Sequence, residues 1–122
     1  MYTIVSAHNG NNNSLKNTLS VNPENITEIK LTNFTGDYRS TTDSEKINRM
    51  IDHLSQAQYK RMLNDQTAYM PDRTRIIYLF EGDKVDFIIP YGKEAMITRK
   101  VYQVKDGQID PEFLSDFYQE IK

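Results

Sequence analysis

The stretch "TRIIYLFEGDKVDFIIP", residues 74–90, decides the fold class. Ile76 to Phe80 is apolar at every position, so both sides of the pleat need cover, as in a central strand. Glu81-Gly82-Asp83-Lys84 then spells a tight turn, with glycine available for a positive φ. The return strand puts Val85, Phe87 and Ile89 on one face and Asp86 and Ile88 on the other. Phe87 is expected on the buried side, opposite a helix. Pro90 has no amide to donate, so pairing is expected to end there.

Upstream, "TTDSEKINRMIDHLSQA", residues 41–57, reads as that helix. Thr42-Asp43-Ser44-Glu45 has the form of a capping box, with the Thr42 hydroxyl facing the Glu45 amide. Ile47, Met50, Ile51 and Leu54 follow at i, i+3, i+4 and i+7, a single apolar stripe. Glu45 and Arg49 form an i,i+4 pair on the outer side. Before the helix, "ITEIKLTNF", residues 26–34, alternates Ile29 and Leu31 with Lys30 and Thr32, as a half-buried strand does, and Gly36-Asp37 ends it. After the helix, Gln58–Leu63 favours a strand and Asn64–Asp72 a polar connection.

Downstream of the hairpin, residues 95–104 make a further strand or bulged pair, with Arg99-Lys100 as the bulge or turn and Asp106-Gly107 as the close. Asp110 suits an N-cap, Pro111 the first helical position and Glu112 the positive end of a helix dipole. Phe113, Leu114, Phe117 and Ile121 form the stripe of this second helix, with Tyr118 at its edge. The order predicts an α+β fold: an antiparallel sheet of about four to five strands with two helices, about residues 43–55 and 111–121, on one face.

Residues 1–25 hold seven of the ten asparagines and no sustained apolar periodicity. They read as a flexible polar lead-in to a single domain over 26–122, docking locally through Leu15, Leu19 and Val21. The apolar start Met1–Val5 is either the trailing edge of a removed anchor or an ordinary frayed end.

Composition narrows the chemistry. The 122 residues suit one domain, and a net charge of -2 gives no general electrostatic reason to bind nucleic acid. With no cysteine there is no disulfide scaffold and no thiolate site, and His8 and His53 do not make a metal pair. No apolar run approaches the roughly 20 residues that span a bilayer. Glycine-rich phosphate loops, dinucleotide fingerprints and nucleophile elbows are missing. Asp83 and Asp106 read as turn formers, His53 as a surface or boundary histidine and Asp52 as solvent-facing. No catalytic residue, metal or cofactor is expected.

Basic residues interleaved with tyrosines are the remaining signal. Arg73 and Arg75 share a face by strand alternation. Tyr59, Tyr78 and Arg99 are the candidates to join them in a stripe on the sheet that forks to carboxylate or phosphate oxygens, the other reading being that the basic residues only solvate an exposed sheet face.

The elements "ITEIKLTNF", "TTDSEKINRMIDHLSQA", "TRIIYLFEGDKVDFIIP" and "KVYQV" together resemble a type of small extracytoplasmic domain of unknown function found in lipoproteins and anchored proteins of Gram-positive bacteria. The likeness spans about two-thirds of the chain, lies in pattern more than in particular residues, and lacks a lipobox cysteine. It implies a tethered or secreted envelope domain behind a polar spacer and carries no catalytic residues. The leading expectation is a non-enzymatic binding or interaction module, monomeric or weakly dimeric, whose partner is a protein or an anionic envelope polymer. The alternatives are an inhibitor or immunity-type protein that blocks an enzyme, a small hydrolase or isomerase, and a cytoplasmic location.

Overall fold

A computed structural model describes residues 12–62 and 75–122. Leu63, the connection Asn64–Asp72, Arg73 and the start Met1–Val5 lie outside the described residues. Seven strands of four to eight residues form one antiparallel sheet: β2 (Glu28–Thr32), β3 (Tyr38–Thr41), β4 (Gln58–Arg61), β5 (Ile77–Glu81), β6 (Lys84–Tyr91), β7 (Glu94–Ile97) and β8 (Lys100–Lys105). A two-residue bridge strand, β1 (Asn12–Asn13), completes it in the order β1-β4-β8-β7-β6-β5-β2-β3. The α+β antiparallel class is as expected. The strand count exceeds four to five because Tyr38–Thr41 turns back on β2 after Gly36, and because residues 94–105 form two strands instead of one.

Three helices pack on one face: α1 (Leu15–Thr18), α2 (Ser44–Ser55) and α3 (Pro111–Glu120). Their apolar residues, Leu15, Met50, Leu54, Leu114 and Phe117 among them, merge with Ile29, Leu31, Ile77, Leu79 and Ile88 into one core. The α2 cap sits one residue later than the capping box suggested. Asp43 accepts from the Lys46 amide at 3.0 Å, and the Thr41 hydroxyl accepts from the Asp43 amide at 3.1 Å. Arg49 pairs with Glu120 of α3 instead of Glu45, tying the two long helices together. At α3 the Asp110 carboxylate accepts from the Glu112 amide at 3.0 Å, as its cap position requires.

Register decides which face each strand residue takes, and here the expectation for Phe87 is inverted. Ile88 lies opposite Ile77 and Asp86 opposite Leu79, all four on the helix side and almost wholly buried. Phe87 pairs with Tyr78 and is only partly buried, on the other face beside Ile89, Met96 and Val101. A buried carboxylate is tolerable only when its oxygens are filled. One Asp86 oxygen accepts from the amides of Ser20 and Val21 at 2.7 and 2.8 Å, and the other accepts from the Thr98 hydroxyl at 2.6 Å. Glu81, at the turn of the same hairpin, accepts from the Asn22 amide at 3.0 Å, which holds its carboxyl below the usual range. Residues 20–22 are thus bonded to the β5–β6 hairpin, and Leu15 and Val21 are core residues with Leu19 packed against them. Residues 12–25 belong to the packed unit instead of leading flexibly to it.

Turn chemistry follows the sequence closely. Gly82 takes φ +58 at the tip of the β5–β6 hairpin. The Arg99 region is a two-residue turn, with Thr98 at φ 57, so the turn was the right alternative and not the bulge. Pairing runs through Pro90 to Tyr91, contrary to expectation. Phe87 offers its carbonyl to the Thr98 amide on the β7 side, so alternation aims the Pro90 backbone toward β5, whose pairing has already ended at Ile77. Its missing amide therefore costs no ladder bond.

Candidate functional site

Of the five residues expected to form one basic-aromatic stripe, the four that are described do not share a face. Arg75 alternates with Ile77 and Leu79, which puts it on the helix side, whereas Tyr78 lies on the opposite side with Phe80. Arg99 is exposed in the β7–β8 turn. Tyr59 is fully buried on the helix side. Its hydroxyl donates to the Leu54 carbonyl at 2.5 Å near the end of α2, and burial pushes the phenol pKa far up. It offers no surface to a ligand. Arg73 lies outside the described residues. His53 is not a boundary residue: it is nine-tenths buried, stacked 4.0 Å from Phe113, with Nε2 accepting from the Asp110 amide at 3.0 Å. Burial lowers its pKa, opposed by the Asp110 charge.

Two regions remain as candidates. The first is the sheet face turned away from the helices, where Tyr78, Phe80 and Phe87 are half-buried while Tyr38 and Val85 are 60% and 44% exposed. Lys30 threads between them, its ammonium 4.5 Å from the Tyr38 ring and 5.6 Å from the Phe80 ring. Tyr78 and Phe80 lie 6.5 Å apart at a shallow angle. A cation set among aromatic faces, with large apolar side chains left in water, is the composition that protein interfaces favour.

The second is a crevice of about 460 Å³ at the end of the sheet, between the start of α3, the β6–β7 turn and the residues following β2. Its walls are mostly apolar, and Arg75 and Lys93 carry its positive charge. The Arg75 guanidinium lies 4.7 Å from the Phe34 ring and 5.2 Å from the Tyr118 ring, and Nη1 donates to the Thr32 carbonyl at 3.2 Å. Strand alternation from Ile77 already carried the signal that Arg75 points inward. Nothing local could show that Phe34 and Tyr118 would flank it.

A third depression runs along α2 between Asp43, Asp52 and Glu120; it is wide, polar and open to water. Among the described residues no three histidine, aspartate or glutamate side chains gather as a metal site would require, and no helix is long and apolar enough to cross a membrane. The two candidate regions can hold a partner by cation and apolar contact. No protein family, no curated protein and no solved structure matches the chain.

Proposed function

We propose that the chain is a non-enzymatic binding module that docks a protein partner on the sheet face carrying Tyr38, Tyr78, Phe80, Val85 and Phe87. The observation that carries this reading is the exposure of Tyr38 and Val85 beside half-buried aromatic rings on a face that none of the three helices covers. Exposed apolar patches of this kind on a single domain mark interaction sites. Lys30, already held against two rings, gives that patch one directed charge, so the matching partner surface is apolar with a carboxylate near its centre. In this reading the module works at the envelope of a Gram-positive cell, tethered or secreted.

The test is site-specific photo-crosslinking in the native cell. A benzophenone side chain at position 38 or 85 should yield one defined protein adduct, and the same probe at Asp52, on the helix side, should not. Replacing Lys30 with glutamate should reduce the adduct several-fold while lowering the melting temperature by only a few degrees, the loss of two partly exposed cation–π contacts. No adduct from positions 38 and 85, or the same adducts from position 52, overturns the reading.

A further inference from the structure

Arg75 has a problem the fold does not solve. Its residue surface is 92% removed from water, yet among the described residues no carboxylate pairs with it, the ion pair there being Arg49–Glu120. Its Nε is sealed and has no hydrogen-bond partner, while Nη1 has the Thr32 carbonyl. Buried guanidinium groups are ordinarily paired, because a desolvated charge without a counter-ion is costly. The aromatic rings of Phe34 and Tyr118 offset part of that cost.

Beside the guanidinium lies a crevice with room for an anion. Arg75 lines the crevice together with Phe34, Tyr91, Lys93, Ile109 and Leu114. Its volume, about 460 Å³, lies in the range of small-molecule sites, which are mostly apolar with a few placed polar groups. Phe34 is 52% exposed and is the one ring over the guanidinium that stands on a loop.

We propose that this crevice binds a small carboxylate with an apolar body, the carboxylate forking onto the Arg75 guanidinium and the apolar body lying against Ile109 and Leu114. Lys93 at the mouth draws the anion in. The planar fork of arginine matches a carboxylate with two parallel bonds, and a low-dielectric crevice strengthens both. This site lies on the helix side of the sheet and stands apart from the open-face reading.

The probe is octanoate, with 1-octanol and octyltrimethylammonium as equally long ligands lacking the carboxylate. Calorimetric titration at pH 7.5 should give saturable octanoate binding below millimolar Kd, at least tenfold tighter than either control. Arg75→Met keeps an unbranched apolar chain between the two rings and removes the buried charge, so it should melt at or above the wild-type temperature. It should also erase the preference for octanoate. In the wild-type protein, the Arg75 Nε–H resonance should shift with octanoate and stay put with octanol, a readout that needs no variant to fold. Equal affinity for octanoate and octanol, an unchanged preference in folded Arg75→Met, or an unmoved Nε–H resonance each overturns the proposal.

Discussion

Replacing Asp86 with alanine should be among the most damaging single changes to this chain. The carboxylate accepts three hydrogen bonds, from the Ser20 and Val21 amides and the Thr98 hydroxyl, at 2.6–2.8 Å. Each hydrogen bond to a charged group contributes about 1.5–3 kcal/mol, and a buried donor left empty costs about 1–3 kcal/mol. Ser20 is exposed and can take water in place of the lost oxygen, but Val21 is 2% exposed and cannot. Counting Val21 in full and the other two in part gives about 3–5 kcal/mol, a large share of the 5–15 kcal/mol typical of a domain. For a chain of this size that corresponds to a fall of roughly 10–20 °C in Tm. Asp86→Asn should cost much less. Its carbonyl can face the two amides while its NH2 donates to Thr98, whose hydroxyl turns from donor to acceptor. The assay is thermal unfolding with amide hydrogen exchange: in Asp86→Ala the protection of residues 15–22 should fall before that of β5. A loss below about 1 kcal/mol for alanine, or an equal loss for asparagine, would refute the idea that this carboxylate pins the segment.

Three further outcomes are expected. His53 is held neutral because burial lowers its pKa below 6.5 against a weaker pull from Asp110. The unfolded chain therefore binds a proton more readily, and the stability from neutral His53 is full above about 6.5 and lost as pH falls through the lowered native value. Denaturant titrations from pH 7.5 to 5 should show a steeper loss for wild type than for His53→Gln, and parallel losses would contradict this. Ile88→Ala should cost about 2–5 kcal/mol and Phe87→Ala clearly less, because Ile88 is fully buried and Phe87 is not; the reverse order in chemical denaturation would mean the face assignment is wrong. An alanine at Gly82 meets no atom within 4 Å but must adopt φ +58, so calorimetry should show a loss of about 1–2 kcal/mol from backbone strain alone.

What could be read from the sequence was local. The stripe Ile47, Met50, Leu54 and the cap at Asp110 depend on residues within four positions, and both long helices stand where that spacing put them. The faces of β6 depend on partners far away. By hydropathy Phe87 belongs inside and Asp86 outside, and the order reverses because Ser20 and Val21 bring two amides from more than sixty positions upstream. Residues 12–25 looked too polar to pack, yet Leu15 and Val21 are enough once Asp86 and Glu81 hold the backbone between and beyond them. For the site, alternation within β5 was sufficient to separate Arg75 from Tyr78. The aromatic rings around Arg75 come from α3 and from the residues after β2, and only the folded chain assembles them.

The strand order sets how the molecule answers to force. Asn12 lies on β1 at one edge of the sheet, while Lys122 offers its carbonyl to the Ser40 amide of β3 at the other. Strands spaced about 4.8 Å apart put these two residues on the order of 30 Å apart, across the strands and not along them. A load applied between them runs parallel to the ladder hydrogen bonds, so the bonds open one after another instead of shearing together. Peeling would begin at the two-residue bridge of β1, because the other end is held to β3 by the Ser40–Lys122 bond and by Arg39, which donates to the Tyr118 and Ile121 carbonyls. The sheet is therefore soft along this axis and stiff along its strands, where the four or five residue pairs of each longer ladder must yield at once.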